Sequence, residues 1–164
     1  MKKEFKEYDE ETLQKIQQTE MEILKDFIEV CEKHNLTYFG IAGTGIGALR
    51  HQGFIPWDDD IDVAMPRDDF ERLVRFIEKE KGDKYLIMDT KHYPNYPLMT
   101  TRITMRGTKF KEEALKSIDA PMGIFLDLYP LDKMSDDPKE AKKQARDAWF
   151  WSKILILRSI PFPM

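Results

Sequence analysis

The sequence predicts an α/β fold of the α+β kind, in which helices pack mainly on one side of a small mixed sheet. Apolar residues recur at helical spacing over residues 10–32 and again after Pro66. Short segments typical of strands follow at residues 85–88, 99–106 and 123–129. Together these segments favour a mixed sheet with helices packed on it.

Length and composition limit the possible classes of protein. The chain has 164 residues, which suits one domain with a sizeable core. Its net charge of -4 argues against a general nucleic-acid-binding protein, so we expect no nucleic-acid partner. The only cysteine is Cys31, which excludes a disulfide framework and a thiolate zinc cluster. No apolar signal or membrane-spanning segment is visible, and we expect a cytoplasmic location.

The first helix is predicted over residues 10–32. Its apolar residues fall on one face at helical steps, and they are Leu13, Ile16, Leu24, Phe27, Ile28 and Cys31. A short strand is expected next, at residues 36–42. A brief helix over residues 44–50 should follow, entered through glycines.

The glycine-containing turn at residues 42–45 is the first candidate for a binding site. It follows an apolar run and opens the brief helix, so its backbone N–H groups are free to bind an anion. We therefore expect Gly43 and Thr44 to bind phosphate oxygens. On its own, the turn would favour the interpretation as a plain helix start.

Four aspartates within residues 58–62 form the second candidate site, at the point where a strand should begin. Residues two apart in a strand face the same side. Asp60 and Asp62 would then direct both carboxylates to one spot, while Ile61 and Val63 point into the core. Two carboxylates beside a phosphate-binding turn suit Mg²⁺, so the sequence predicts a magnesium-dependent phosphate site.

A calcium-binding loop is the alternative use of these aspartates. The residues at positions 1, 3, 5 and 12 of an EF-hand loop would be Asp58, Asp60, Asp62 and Asp69. Position 6, however, is Val63 where the loop requires glycine, and position 12 is not glutamate. Pro56 also disfavours the helix that should enter the loop. We therefore reject the calcium-binding interpretation.

Three features stand out in the rest of the chain. A helix opens at Pro66, and its buried stripe is Phe70, Leu73, Val74 and Ile77. Asp127 is the single acid at the centre of the strand predicted over residues 123–129. A buried carboxylate is costly unless a partner offsets the cost, and a metal ion could be that partner.

A last helix is predicted from Pro138 to about residue 160. Its apolar stretches at residues 149–151 and 154–157 indicate a core helix whose packing partner lies elsewhere in the fold. The alternatives are a dimer contact or a docking surface for further sequence, and then a membrane-surface helix.

Two stretches of this sequence resemble the LicD family, which also includes the fukutin-related proteins. The longer is residues 36–73, LTYFGIAGTGIGALRHQGFIPWDDDIDVAMPRDDFERL, and the shorter is residues 123–132, GIFLDLYPLD. The family resembles the DNA polymerase beta-like nucleotidyltransferases in fold. The resemblance implies a single nucleotidyltransferase-like domain over residues 1–164, with Asp127 as the third carboxylate. Family members are usually longer, so a C-terminally truncated domain is the alternative.

The resemblance also implies an activity. It is transfer of a phospho-alcohol, typically phosphocholine from CDP-choline or a related CDP-alcohol, onto a cell-surface glycan or its lipid-linked precursor. Teichoic acid and lipopolysaccharide are such glycans. Mg²⁺ would be held by Asp60, Asp62 and Asp127, and Asp127 would complete the metal site or accept the proton of the acceptor hydroxyl. The expected location is cytoplasmic, with peripheral contact at the inner membrane face as an alternative.

Three further residues complete the predicted substrate-binding set. Arg50 would add a bidentate phosphate contact, or would pair with a surface acid. His51 would bind substrate or serve in packing. Trp57 would contact a base or the choline ammonium group, or would lie in the core. A domain of the same fold that binds nucleotide or a partner without turnover is the rival function.

Overall fold

The computed structural model describes residues 8–110 and 119–159. Helices and strands follow one another in the described residues as α1 (Glu10–His34), β1 (Phe39–Gly40), α2 (Ala42–His51), β2 (Asp62–Pro66), α3 (Arg67–Lys81), β3 (Tyr85–Met88), β4 (Thr101–Met105), β5 (Phe125–Leu131) and α4 (Pro138–Ser159). Residue 160, the predicted end of the last helix, lies outside the described residues.

The five strands form one mixed sheet in the order β1-β2-β5-β4-β3. β2 and β5 pair in parallel at its centre, and the other neighbours pair antiparallel. The predicted α/β architecture with a small mixed sheet is therefore confirmed. Its central pair places Asp62 directly opposite Asp127.

α1 begins and ends at clear capping residues. The Asp9 side chain accepts a hydrogen bond from the Thr12 backbone N–H at 2.8 Å, and Asn35 adopts the left-handed conformation (φ 51°) that ends the helix. The buried face includes the predicted Ile16, Phe27 and Cys31, together with Ile23 and Val30. One charged residue, Glu20, lies on the same buried face.

α1 and α3 cover one face of the sheet. They enclose a core whose central members are Phe27, Val63, Leu73, Leu126 and Leu128. Because side chains alternate along a strand, the neighbours of these strand residues point to the opposite face. That opposite face carries Asp62 on β2, Arg102 on β4, and Asp127 and Tyr129 on β5.

Two segments near the acidic stretch differ from expectation. The strand predicted at residues 36–42 is only Phe39–Gly40, because α2 already begins at Ala42. β2 begins at Asp62, the first residue in its parallel register with β5. Asp60 therefore lies in the preceding loop, and the prediction that Asp60 and Asp62 share a strand face is wrong. Ile61 and Val63 are buried, as predicted.

The interpretation of α4 as a core helix is also wrong. Trp149 is 62% exposed and Trp151 is 65% exposed, and Leu157 is likewise exposed. Neither of the two apolar clusters found among the described residues includes a residue of α4. No helix in the described parts of the chain has the length and apolar character needed to cross a membrane.

Candidate functional site

The N-terminus of α2 supplies the predicted anion-binding turn. Ala42 adopts a left-handed backbone conformation, φ 46°, which is unusual for a residue with a Cβ atom. The helical hydrogen bonds begin with the Gly45 N–H, which donates to the Ile41 carbonyl at 3.0 Å. The N–H groups of Gly43 and Thr44 precede it in the first turn, where an α-helix offers them no carbonyl acceptor. Both predicted phosphate-binding residues are thus placed to donate.

Thr44 joins this turn to the acidic strand. Its hydroxyl oxygen accepts a hydrogen bond from the Asp62 backbone N–H at 2.8 Å. A hydroxyl that accepts in this way still has its own hydrogen to donate to a ligand. The contact therefore fixes the start of β2 against the α2 turn and leaves Thr44 able to bind an anion.

Gly43 lies directly against the acidic loop. A Cβ atom at this position would lie 2.3 Å from Asp58 Oδ2, so the missing side chain gives the Asp58 carboxylate its space. The loop is held at Asp58 by two backbone contacts. The Asp58 N–H donates to the Ile55 carbonyl at 2.9 Å, and the Asp58 carbonyl accepts from Gln17 Nε2 of α1 at 2.8 Å.

Asp62 and Asp127 form the centre of the site on adjacent strands. Asp62 is 7% exposed and Asp127 is 5% exposed. The Tyr129 hydroxyl donates a hydrogen bond to Asp62. The Oδ1 atom of Asp62 is buried without a hydrogen-bond partner. A hydrogen-bond donor or a cation would be needed to satisfy a buried carboxylate oxygen in this state.

Asp127 has a protein cation as its partner. Arg102 Nε donates to Asp127 Oδ1 at 3.0 Å, and the Thr100 hydroxyl donates to the same oxygen at 3.0 Å. The Arg102 guanidinium also stacks on Phe125, 3.6 Å from the ring centre. The sequence suggested a metal ion as the group that offsets burial of Asp127. In the structure, Arg102 and Thr100 provide that compensation.

The carboxylates of the site are harder to ionise than isolated aspartates. Burial, together with the charges of Asp62, Asp58, Asp59 and Asp127, raises the pKa of Asp60 to about 7. Burial also raises the pKa of Asp58, Asp62 and Asp127, and the Arg102 charge opposes the rise for the last two. Ionising several carboxylates of the cluster together therefore costs free energy, and a proton or a bound cation would reduce that cost.

Glu20 of α1 belongs to the same electrostatic environment. Burial and the nearby charges of Asp60, Asp59, Asp58 and Asp127 raise its pKa to about 9. Its Oε2 atom is buried without a hydrogen-bond partner.

The residues at the site fit a divalent cation, although a complete coordination shell is not preformed. Within residues 8–110 and 119–159, no three His, Cys, Asp or Glu side chains converge at the spacing of a formed metal centre. The orphaned Asp62 Oδ1 is nevertheless a hard oxygen ligand, and Asp60 lies close enough for the two charges to interact. Carboxylate oxygens of this kind are what Mg²⁺ binds in proteins.

The remaining predicted substrate residues have exposed side chains. Arg50 and His51 are exposed in the last turn of α2, whereas Thr44 is in its first turn. Six residues of helix separate Arg50 from Thr44, which corresponds to about 9 Å along the axis. Trp57 is 78% exposed beside the acidic loop. Contacts join Gly43 to Asp58 and Thr44 to Asp62, and within the described parts of the chain no contact joins them to these three side chains.

A cavity of about 290 Å³ adjoins the acidic loop. α1 contributes Met21 and Leu24 to its wall, and α2 contributes Thr44 and Ala48. Asp58 is the charged residue in this wall. The cavity therefore offers a mainly apolar space with one carboxylate at its edge.

Sequence reasoning missed Glu20, Arg102 and Tyr129. Glu20 follows Ile16 by four residues on α1, so it was recognisable as an acid on an apolar helical face. Arg102 alternates with apolar residues, as a solvent-facing residue of a half-buried strand also would. Its sequence signal could not reveal that β4 is buried on both faces.

Comparison with known proteins identifies the family of the chain. The model of the LicD/FKTN/FKRP nucleotidyltransferase domain matches residues 35–153. The chain is 35% identical to the lipopolysaccharide cholinephosphotransferase LicD of Haemophilus influenzae over 129 residues, which cover 78% of this chain and 47% of that protein. The chain thus spans about half the length of this relative.

Two uncharacterised rickettsial proteins match a shorter segment of 72 residues, or 44% of this chain. The Rickettsia typhi protein is 36% identical over 23% of its own length, and the Rickettsia prowazekii protein is 44% identical over 27% of its length. The family match covers well over half of the chain, including the α2 turn, the acidic loop and Asp127. The chain therefore belongs to the LicD family.

Proposed function

We propose that the chain is a transferase domain that moves a phospho-alcohol from a CDP-alcohol onto a glycan. Phosphocholine from CDP-choline is the proposed donor chemistry, because the Haemophilus influenzae relative is named a lipopolysaccharide cholinephosphotransferase. The proposed acceptor is a cell-surface glycan or its lipid-linked precursor, met at the cytoplasmic face of the membrane.

The observation that carries the proposal is the pairing of Asp62 with Asp127 across two parallel strands. It places two buried carboxylates side by side. Thr44, whose hydroxyl accepts from the Asp62 N–H, joins them to an anion-binding helix start. A helix start suited to phosphate binding thus adjoins carboxylates suited to holding a cation, which supports phosphoryl transfer as the reaction.

Each residue has a role in this scheme. The N–H groups of Gly43 and Thr44 and the Thr44 hydroxyl would hold phosphate oxygens of the donor. Asp60 and Asp62 would hold Mg²⁺, which would supply positive charge against the donor pyrophosphate. The apolar cavity beside Asp58 would receive the alcohol portion, with the Asp58 carboxylate facing a quaternary ammonium group.

The transfer step is a substitution at phosphorus. The acceptor hydroxyl oxygen forms a bond to the phosphorus of the transferred group, and the bond from that phosphorus to the CMP oxygen breaks. CMP leaves with the electron pair of the broken bond. Asp127 would accept the proton of the acceptor hydroxyl, or would complete the cation site. Arg102 and Thr100 would hold the Asp127 carboxylate in position.

The proposal is tested by titrating the chain with CDP-choline, CDP-ethanolamine and CDP-glycerol by calorimetry, each with Mg²⁺ and with EDTA. We expect CDP-choline to bind most tightly, and only with Mg²⁺. Transfer of labelled phosphocholine to isolated lipopolysaccharide then tests turnover. Equal binding of all three nucleotides would contradict the assignment of CDP-choline as the donor. Binding that is unaffected by EDTA would contradict the assignment of a cation site.

A nucleotide-binding domain without turnover is the second candidate function. The Arg102–Asp127 ion pair favours it, because a carboxylate already paired with a guanidinium is a weaker base and a weaker cation ligand. This alternative predicts CDP-choline binding without phosphocholine transfer to any glycan tested.

A further inference from the structure

Glu20 stands out among the buried carboxylates of the described residues. It is 1% exposed, and its Oε2 atom has no hydrogen-bond partner. Two other carboxylates of the fold have cationic partners. Asp127 is paired with Arg102, and Asp26 accepts hydrogen bonds from Lys81 and Lys84. A glutamate buried without such a partner is costly to the fold and calls for a compensating group.

The position of Glu20 indicates what that group would be. Three residues earlier on α1, Gln17 donates to the backbone carbonyl of Asp58 at 2.8 Å, so this turn of the helix is fastened to the acidic loop. Residues three apart lie on neighbouring positions of one helix face. After burial, the largest effects on the pKa of Glu20 come from the negative charges of Asp60, Asp59 and Asp58. Its surroundings are therefore acidic.

Two orphaned carboxylate oxygens thus belong to elements that adjoin the acidic loop. Asp62 Oδ1 lies on β2 after the loop, and Glu20 Oε2 lies on α1, which packs against it. A proton would satisfy either oxygen singly, whereas a hard divalent cation accepts several carboxylate oxygens at once.

We propose that Glu20 is an additional carboxylate of the divalent-cation site, contributed by α1 and acting together with Asp60. The proposal rests on the proposed function for the existence of that site, and it extends the site to a helix outside the two stretches that resemble the family. Glu20 would then hold α1 closed over the acidic loop when a cation is bound. Without a cation, the same side chain would weaken the packing of α1.

The test uses Mn²⁺, whose binding is followed directly by electron paramagnetic resonance and needs no donor or acceptor. Glu20→Gln keeps the size of the side chain and removes its charge. We expect its affinity for Mn²⁺ to fall at least about tenfold. Its melting temperature without metal should equal or exceed that of the wild-type chain, and the rise in melting temperature on adding Mn²⁺ should shrink.

Glu32→Gln is the matched control, because it removes the same charge from an exposed position of the same helix. It should leave Mn²⁺ affinity unchanged. Glu20→Leu is a second variant that suits the apolar face, and it should raise the metal-free melting temperature while it also weakens Mn²⁺ binding.

The outcomes separate this inference from the proposed function. If the wild-type chain binds Mn²⁺ and both Glu20 variants bind it equally well, Glu20 is a buried neutral acid with a structural role, and the inference is overturned alone. If the wild-type chain binds no Mn²⁺, both the inference and the cation site of the proposed function are overturned.

Discussion

Arg102 and Asp127 form a buried ion pair on neighbouring antiparallel strands, with Arg102 Nε 3.0 Å from Asp127 Oδ1. The pair lies beside Asp62, the residue opposite Asp127 in the parallel register. One guanidinium therefore acts on two adjacent carboxylates, since its charge also opposes the rise that burial causes in the pKa of Asp62.

Replacing Arg102 by methionine should destabilise the fold. Arg102→Met would leave Asp127 buried without its cation, and we expect a loss of about 3–5 kcal/mol in the free energy of unfolding. Arg102→Met/Asp127→Asn should recover part of that loss, because the second change removes the unpaired charge. Urea denaturation of the wild type, both single variants and the double variant measures the coupling. Strict additivity of the two changes would contradict a direct interaction.

Asp62→Asn should separate cation binding from stability. We expect the variant to lose divalent-ion binding, because Asp62 contributes the orphaned Oδ1 atom. Its melting temperature without metal should match or exceed that of the wild type, since a repulsive charge is removed. Thermal melts with and without Mn²⁺ check both expectations. A large loss of metal-free stability would identify Asp62 as a structural residue instead.

Asp127→Asn should affect turnover more than donor binding. If Asp127 accepts the acceptor proton, the rate of transfer should fall at least about 100-fold. The affinity for CDP-choline should change less, because Gly43, Thr44 and the other aspartates hold the donor. Near-normal turnover in this variant would exclude the catalytic role. Circular dichroism of the variant serves as the control for folding.

Two glycines of α2 should respond differently to alanine. At Gly43 the new Cβ would meet the tip of the Asp58 side chain at 2.3 Å, so Asp58 can rotate away and stability should change by less than about 1 kcal/mol. Donor affinity should fall, because the Asp58 carboxylate is displaced. At Gly47 the Cβ would meet the Gly53 carbonyl oxygen at 2.4 Å, and this backbone clash should cost about 1–3 kcal/mol. Similar unfolding curves for Gly43→Ala and Gly47→Ala would contradict these contacts.

The metal-free protein should become less stable as the pH rises from about 4 to about 9. In this window the folded chain retains protons on Asp60, whose pKa is about 7, and on Glu20, whose pKa is about 9, while the unfolded chain has released them. Because the folded state binds more protons, the free energy of unfolding falls with increasing pH. Glu20→Gln should flatten the upper part of this fall, between about pH 7 and 9. Denaturant midpoints measured at several pH values, with Glu32→Gln as control, test the slope.

Periodicity in the sequence was sufficient to predict most of the fold. The stripe of Phe70, Leu73 and Ile77 located α3, and alternation over residues 123–129 correctly separated the core-facing Leu126 and Leu128 from Asp127. These predictions succeed because burial of apolar side chains is what fixes an element's orientation. The same alternation placed Ile61 and Val63 in the core even though the strand begins only at Asp62.

Polar residues inside the fold were not predictable in this way. Glu20 and Arg102 occupy buried positions, yet their residue types are those of a solvated surface. Only the three-dimensional arrangement reveals which partners they have. The prediction for α4 was wrong in the opposite way, because its apolar residues were expected to be buried and are exposed. Hydrophobicity indicates that burial would be favourable, but it does not show whether a packing partner exists.

The parallel pairing of β2 with β5 also dictates when the site comes into existence during synthesis. The ribosome releases residues 62–66 well before residues 125–131, and until then β2 has only the two-residue β1 as a partner. The edge of β2 that will bind β5 meanwhile presents unpaired backbone groups beside Val63, Ala64 and Met65. The growing chain thus carries an aggregation-prone strand while α3, β3 and β4 are being made. The aspartates directly before that strand give every nascent copy the same charge there, which opposes association between unfinished chains.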